Sequence, residues 1–236
     1  MADCISYRNT NYFSELLLDY LEEKENLREF YSQFPLLENF KKQVETKQNS
    51  FTLEHRKVLV KSLQLQYENV EVSEATQENI QSLTEENTFT VTTGHQLNLF
   101  TGPLYFLYKI ISAINLAKEL KETYPEYNFV PIYWMASEDH DFEEINYFNF
   151  KKEKIKWDST QTGAVGEFST EGLEEVLTQF REQLSNSDAA EELIQLFQEA
   201  YLTHQNLTEA TRYIANQLFL DDGLVIVDGN DAQLKT

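Results

Sequence analysis

The sequence predicts an α/β protein in which a parallel sheet follows a helical region. Three observations predict it. All seven glycines fall after residue 93, and only Pro35 interrupts the stretch before them. Two nearly unbroken apolar runs, FVPIYWMAS (129–137) and GLVIVD (223–228), read as strands buried on both faces. Between the β-branched TFTVTT (88–93) and the first run lies PLYFLYKIISAINLAKELKE (103–122), with apolar residues at helical spacing. Strand, helix, strand makes a right-handed parallel crossover.

The elements follow in order. SELLLDYLEEKENLREFY (14–31) places Leu17, Leu18, Leu21 and Phe30 on one helical stripe. FTLEHRKVLVKSLQLQYENV (51–70) carries Leu59, Leu63 and Tyr67 four apart, and 72–87 repeats the pattern weakly. Residues 1–87 therefore read as a helical region. GHQLNLFTG (94–102) is a Gly-bounded loop from strand to helix, and Pro103 suits a first helical position, where its missing N–H costs nothing. The expected buried stripe of the 103–122 helix is Leu104, Leu107, Tyr108, Ile111 and Ile114. Pro131 belongs near a strand start or at an edge. Residues 145–168 read as short strands turning at Gly163 and Gly166, followed by helices at 171–184, 188–203 and 208–219, the middle one opening on an Asp188/Glu191 capping box. Residues 88–236 thus read as a sheet core with an insertion at about 147–220. A sheet of this kind normally places a helix after 223–228, so the stop at Thr236 suggests a piece of a larger protein.

Composition excludes whole classes. The 236 residues are 41% apolar and include two Trp, 13 Tyr and 16 Phe, enough to bury a core and exclude global disorder. Forty acids against 19 bases give a net charge of −21, which argues against nucleic acid and anionic membranes as partners. Cys4 is alone, so no internal disulfide or thiolate cluster forms. No basic-then-apolar leader and no 18-residue apolar stretch is visible, which places the expected protein in the reducing cytosol.

Two segments carry candidate chemistry. A strand-to-helix turn at 94–102 aims backbone N–H groups and the positive helix end outward, a setting for phosphate or carboxylate. In it Gly94 and Gly102 supply geometry, while His95, Gln96, Asn98 and Thr101 can add hydrogen bonds. Neither nucleotide fingerprint, GxGxxG nor GxxxxGK[ST], is present. SEDHDFEE (137–144) puts Glu138, Asp139, His140 and Asp141 at a strand's carboxyl end, where ligands sit in open α/β sheets. Such a quartet suits general acid/base work, an amine, or a divalent cation. Mutual repulsion is expected to raise carboxylate pKa values there. An extended chain would put Glu138 and His140 on one side, Asp139 and Asp141 on the other. Asp228 ends a later strand and can meet a ribose or an amine, or equally serve as a cap or turn residue. His55 and His204 have no partner at metal-ligand spacing, and HExxH, paired CxxC and GxSxG are absent. An enzyme, a nucleotide-binding module without chemistry, and a metal-dependent hydrolase are the rival classes, in that order.

TGHQLNLFTGPLYFLYKIISAINLAKEL (93–120), VPIYWMASEDHDFEEIN (130–146) and GLVIVDGNDAQLK (223–235), in this order and spacing, resemble the cysteine-adding enzymes of bacillithiol biosynthesis. The resemblance implies a Rossmann-like core similar to class I aminoacyl-tRNA synthetases, with a connective insertion and a carboxyl-terminal coiled coil beyond this chain. It implies a ligase that joins L-cysteine to the amine of glucosaminyl-malate through an activated carboxylate, with ATP or another nucleotide as cofactor. It implies homodimers through that coiled coil. Phe100, Thr101, Gly102 and Pro103 stand where the synthetases carry two histidines around a Gly. On this reading Glu138, Asp139, His140 and Asp141 are catalytic, while Gly94, His95, Gln96, Thr101, Gly102 and Asp228 bind substrate or nucleotide.

Overall fold

A computed structural model describes residues 4–235. Its contacts divide the chain into two compact units between Phe51 and Thr52. The first unit holds helix α1 (Glu15–Leu21) and helix α2 (Phe40–Ser50), with 3₁₀ turns at Tyr7–Thr10, Glu25–Phe30 and Leu37–Asn39. Ser14 caps α1 by accepting from the Leu17 N–H. The single helix expected over 14–31 does not form: Glu23 turns left-handed at φ 52° and a 3₁₀ segment follows. Of the expected stripe only Leu18 is buried, and Phe30 is 82% exposed. One buried residue does not offset the cost of a longer helix.

The second unit opens with helices α3 (Leu53–Gln66) and α4 (Glu74–Ser82). Thr52 and His55 form a reciprocal capping box at the start of α3, which gives His55 a structural role. Both helices pack on the sheet rather than apart from it. Tyr67 Oη accepts the Ile226 N–H at 2.7 Å, and Thr76 Oγ1 donates to the Leu224 carbonyl at 3.3 Å. The buried Arg56 donates to the carbonyls of Leu83, Thr88 and Glu86, tying α3 to the first strand.

Strands β1 (Thr88–His95) and β2 (Asn128–Met135) run parallel, joined by helix α5 (Tyr105–Thr123). After β2 come the short helix α6 (Phe142–Ile145), an antiparallel hairpin of β3 (Tyr147–Phe150) and β4 (Glu153–Lys156), and helices α7 (Leu173–Gln183), α8 (Asp188–Thr203) and α9 (Leu207–Leu218). Strand β5 (Val225–Asp228) then pairs parallel with β2, giving the order β1-β2-β5. The expected α/β class and parallel sheet are present. Pairing with β5 begins at Ile132, so Pro131 sits where β2 has a neighbour on one side only.

Several local expectations are corrected. The strand β1 runs through Gly94 and His95, which therefore are not loop residues. Pro103 precedes the N-cap Leu104 and closes a turn, its carbonyl accepting the Phe106 N–H at 2.9 Å. The buried face of α5 is Phe106, Ile110, Ala113, Ile114, Ala117 and Leu120, whereas Leu104, Tyr108 and Ile111 are exposed. This helix is apolar around most of its circumference, so two stripes fit its spacing and packing on β1 and β2 selects one. The hairpin turns at Lys151 and Lys152, with φ 47° and 72°, and not at a glycine. The cap of α8 is Ser187, whose side chain accepts from Ala190, in place of the Asp188/Glu191 box.

Candidate active site at the strand ends

The carboxyl ends of β1 and β2 carry the two predicted segments, and a glutamine joins them. Gln96 Nε2 donates to Asp139 Oδ2 and to Glu144 Oε2, each at 2.9 Å. Asn98 Nδ2 reaches the Glu144 carbonyl at 3.4 Å. A cavity of about 630 Å³ opens beside this bridge, lined by Gln96, Asn98, Gly102, Glu143, Glu144 and the start of α5.

The loop that shapes the cavity is strained and anchored. Phe100 and Thr101 adopt left-handed backbone, φ 52° and 64°, before Gly102 at φ 48°. Phe100 is held among Phe148, Phe180, Phe197 and Tyr201, and its N–H donates to Tyr201 Oη at 3.0 Å. Helix α5 then starts at Tyr105 without a side-chain cap, and Gly102, Pro103, Leu104 and Tyr105 line the cavity beside that helix start.

The acidic quartet does not alternate. A turn at Asp139, whose N–H donates to the Ala136 carbonyl, replaces the expected extended chain and separates the four side chains. Glu138 turns inward, its Oε2 buried beside the end of β5 without a hydrogen-bond partner among the described residues. There Gly229 passes so closely that a Cβ would lie 2.5 Å from that oxygen. Asp139 turns to Gln96. His140 and Asp141 are exposed. His140 Nδ1 lies 3.0 Å from the Glu138 carbonyl, which accepts a hydrogen bond but cannot donate one, so the neutral ring leaves Nε2 as its acceptor.

Asp139 also departs from the expected direction. The Gln96 amide and the N–H groups of His140 and Asp141 hold its carboxyl below the usual carboxylate range, outweighing partial burial. Its charged form is stabilised in the fold, so this contribution is present above the ordinary value of 3.8 and lost as pH falls through the lower folded value. The Asp139 carboxyl carbon resonance is expected to titrate below 3.8. A midpoint at or above that value contradicts the tie.

The remaining predicted residues are placed as follows. His95 is buried, its Nδ1 at 3.0 Å from the Gln96 carbonyl and its ring against Tyr105 and Phe106; Nε2 has no partner among the described residues. Burial lowers its pKa. The Gly94 carbonyl accepts from Lys109 Nζ. Thr101 does not line the cavity. Asp228 accepts from Ser137 Oγ and, at 2.9 Å, from the Asn230 N–H, so it binds the β2 and β5 ends together. Among the described residues no three His, Cys, Asp or Glu side chains are grouped to hold a metal ion, and no helix is long and apolar enough to cross a membrane.

Comparison with known proteins bears on this arrangement. The family model described as "Bacillithiol biosynthesis BshC, N-terminal Rossmann-like domain" matches residues 1–236. The chain belongs to the BshC family. Similar curated proteins carry the name "Putative cysteine ligase BshC". Those of Flavobacterium johnsoniae and Christiangramia forsetii are 58% and 56% identical over 99% of this chain, which covers 44% of each relative. One from Bacillus anthracis is 28% identical over 93% of the chain and is covered to 42%. The chain thus spans less than half the length of these curated relatives. The three-stranded parallel sheet is the core that makes this BshC domain Rossmann-like.

Glu143, Glu144 and Tyr105 line the cavity without having been singled out from sequence. Glu144 lies five residues after Asp139, and only the turn and α6 bring both carboxylates to one amide. The clue available in the sequence was SEDHDFEE as a whole.

Proposed function

We propose that the cavity binds cysteine as its zwitterion and that the domain serves a ligase joining the cysteine carboxylate to the amine of an amino-sugar malate conjugate. One juxtaposition carries this reading: an uncapped helix start lies across one cavity from a pair of carboxylates. The positive end of α5, where the Pro103 carbonyl takes only the Phe106 N–H, suits the substrate carboxylate. Glu143 and Glu144 suit its ammonium, with Gln96 and Asp139 holding Glu144 in place. The names of the relatives, cysteine ligases, support the same assignment.

As the carbon–nitrogen bond forms, the attacking amine must lose a proton. The exposed His140, next in sequence to the Asp139 that Gln96 holds and with Nε2 as acceptor, takes it. A carboxylate is a poor electrophile, and a nucleotide would supply its activation. No Lys or Arg lines this cavity, so a polyphosphate meets one helix end and several carboxylates. The residues of this cavity alone do not fit that group, and no step is assigned to it.

Calorimetry on the 236-residue chain tests the reading. Cysteine is expected to bind, whereas cysteamine, lacking the carboxylate, and 3-mercaptopropionate, lacking the amine, each lose about tenfold to a hundredfold, the worth of one charge-assisted hydrogen bond. Glu144→Gln should weaken cysteine and leave 3-mercaptopropionate unchanged. Equal affinity for all three ligands sinks the proposal.

A further inference from the structure

A second cavity, of about 520 Å³, shares no lining residue with the first. It lies between the end of α3 and helix α9, and Arg212 lines it. Arg212 is 6% exposed. Its guanidinium donates to the Ile226 carbonyl at 2.9 Å and to Gln66 Oε1 at 3.1 Å, and lies 5.1 Å from the centre of the Tyr67 ring. Beside these two bonds the guanidinium also meets the Tyr67 hydroxyl, which leaves part of the five N–H groups that an arginine carries.

Buried charges are normally paired with an opposite charge. Here Asp231 is reached only through an amide. Gln66 accepts from Arg212 and donates from Nε2 to Asp231 Oδ2 at 2.8 Å, so the guanidinium forms no direct ion pair among the described residues. Arg56, the other buried arginine, spends its N–H groups on three main-chain carbonyls in a packed setting. Arg212 instead lines open space.

We infer that this cavity is a binding site for a small oxyanion, a phosphate or a carboxylate, held by the free edge of the Arg212 guanidinium. A planar fork of donors matches two oxygens of such a group. Asn69, His204 and Gln217 line the same space and offer further polar contacts. Glu71 and Glu209 are exposed and line it as well, so a polyanion is repelled and a small ion is selected.

The test is an NMR titration of the Arg212 Nε–H resonance in the whole chain, with inorganic phosphate in one arm and acetate in the other. A saturable shift in either arm is expected and identifies the preferred oxyanion. Arg212→Lys keeps the charge but not the fork, and should weaken binding about tenfold or more. Glu71→Gln removes a repelling charge, and should tighten binding roughly twofold to fivefold across a water-filled mouth. No saturable shift in either arm overturns the site, as does a folded Arg212→Lys protein that binds as well as the parent. Where Arg212→Lys fails to fold, as circular dichroism would reveal, Glu71→Gln decides: unchanged affinity overturns the site.

Discussion

Phe100→Ala is expected to lower the unfolding free energy by about 3–5 kcal/mol, among the largest losses a single truncation in this chain can cause. The ring centroid of Phe100 lies 4.6 Å from that of Phe148 and 4.3 Å from that of Phe197, with Phe180 and Tyr201 completing the ring cluster. Its removal empties a site enclosed by rigid aromatic rings, which cannot collapse to fill it. The loss has a second part. Phe100 and Thr101 hold left-handed backbone that costs of order 1–3 kcal/mol each and persists only where packing over-determines it. Without the ring the loop is expected to relax, and the cavity at the strand ends should lose its shape. Urea unfolding reads the first effect, and cysteine affinity of the still-folded protein reads the second. A loss below about 1 kcal/mol would show that the cluster does not hold the loop.

Gly102→Ala is the second large effect, with an expected loss of about 2–4 kcal/mol from overpacking and backbone strain together. At φ 48° and ψ −135° the residue occupies backbone space that a side chain rarely adopts. A Cβ there would overlap Asn98 Cβ and stand 2.9 Å from Asn98 Cγ. Asn98 is buried and reaches the Glu144 carbonyl, so it cannot swing aside without releasing that contact. Cysteine binding should fall further than stability, because the same residue borders the start of α5. Urea unfolding together with calorimetry separates the two. Wild-type values for both would mean that the loop has a conformation other than the one described here.

Much of the candidate site was legible before any coordinates. The loop 94–102 and the run 137–144 each follow a strand, and a parallel sheet must bring such ends to one edge. That Gln96 would spend its amide on Asp139 and Glu144, leaving neither carboxylate free of it, was not legible, because both bonds depend on a turn at residues 136–139. Nor was the downward shift of the Asp139 pKa. Four adjacent titratable groups suggest repulsion, and the strongest of the donors that reverse it, the Gln96 amide, comes from a segment 43 residues away.

By itself the sequence determined the α/β class, the strand–helix–strand order, the positions of the two tips and the family. These follow from local periodicity, from glycine placement and from motifs read in order. Tertiary structure alone decided which face of α5 is buried, which member of the quartet meets which partner, and that Arg212 lies beneath the surface without a carboxylate. The reason is physical. A period of 3.6 residues marks the stripes a helix can bury, but the choice between two apolar stripes belongs to the strands that receive one of them. A side chain's partners, likewise, are set by segments distant in the chain that folding brings within hydrogen-bond reach.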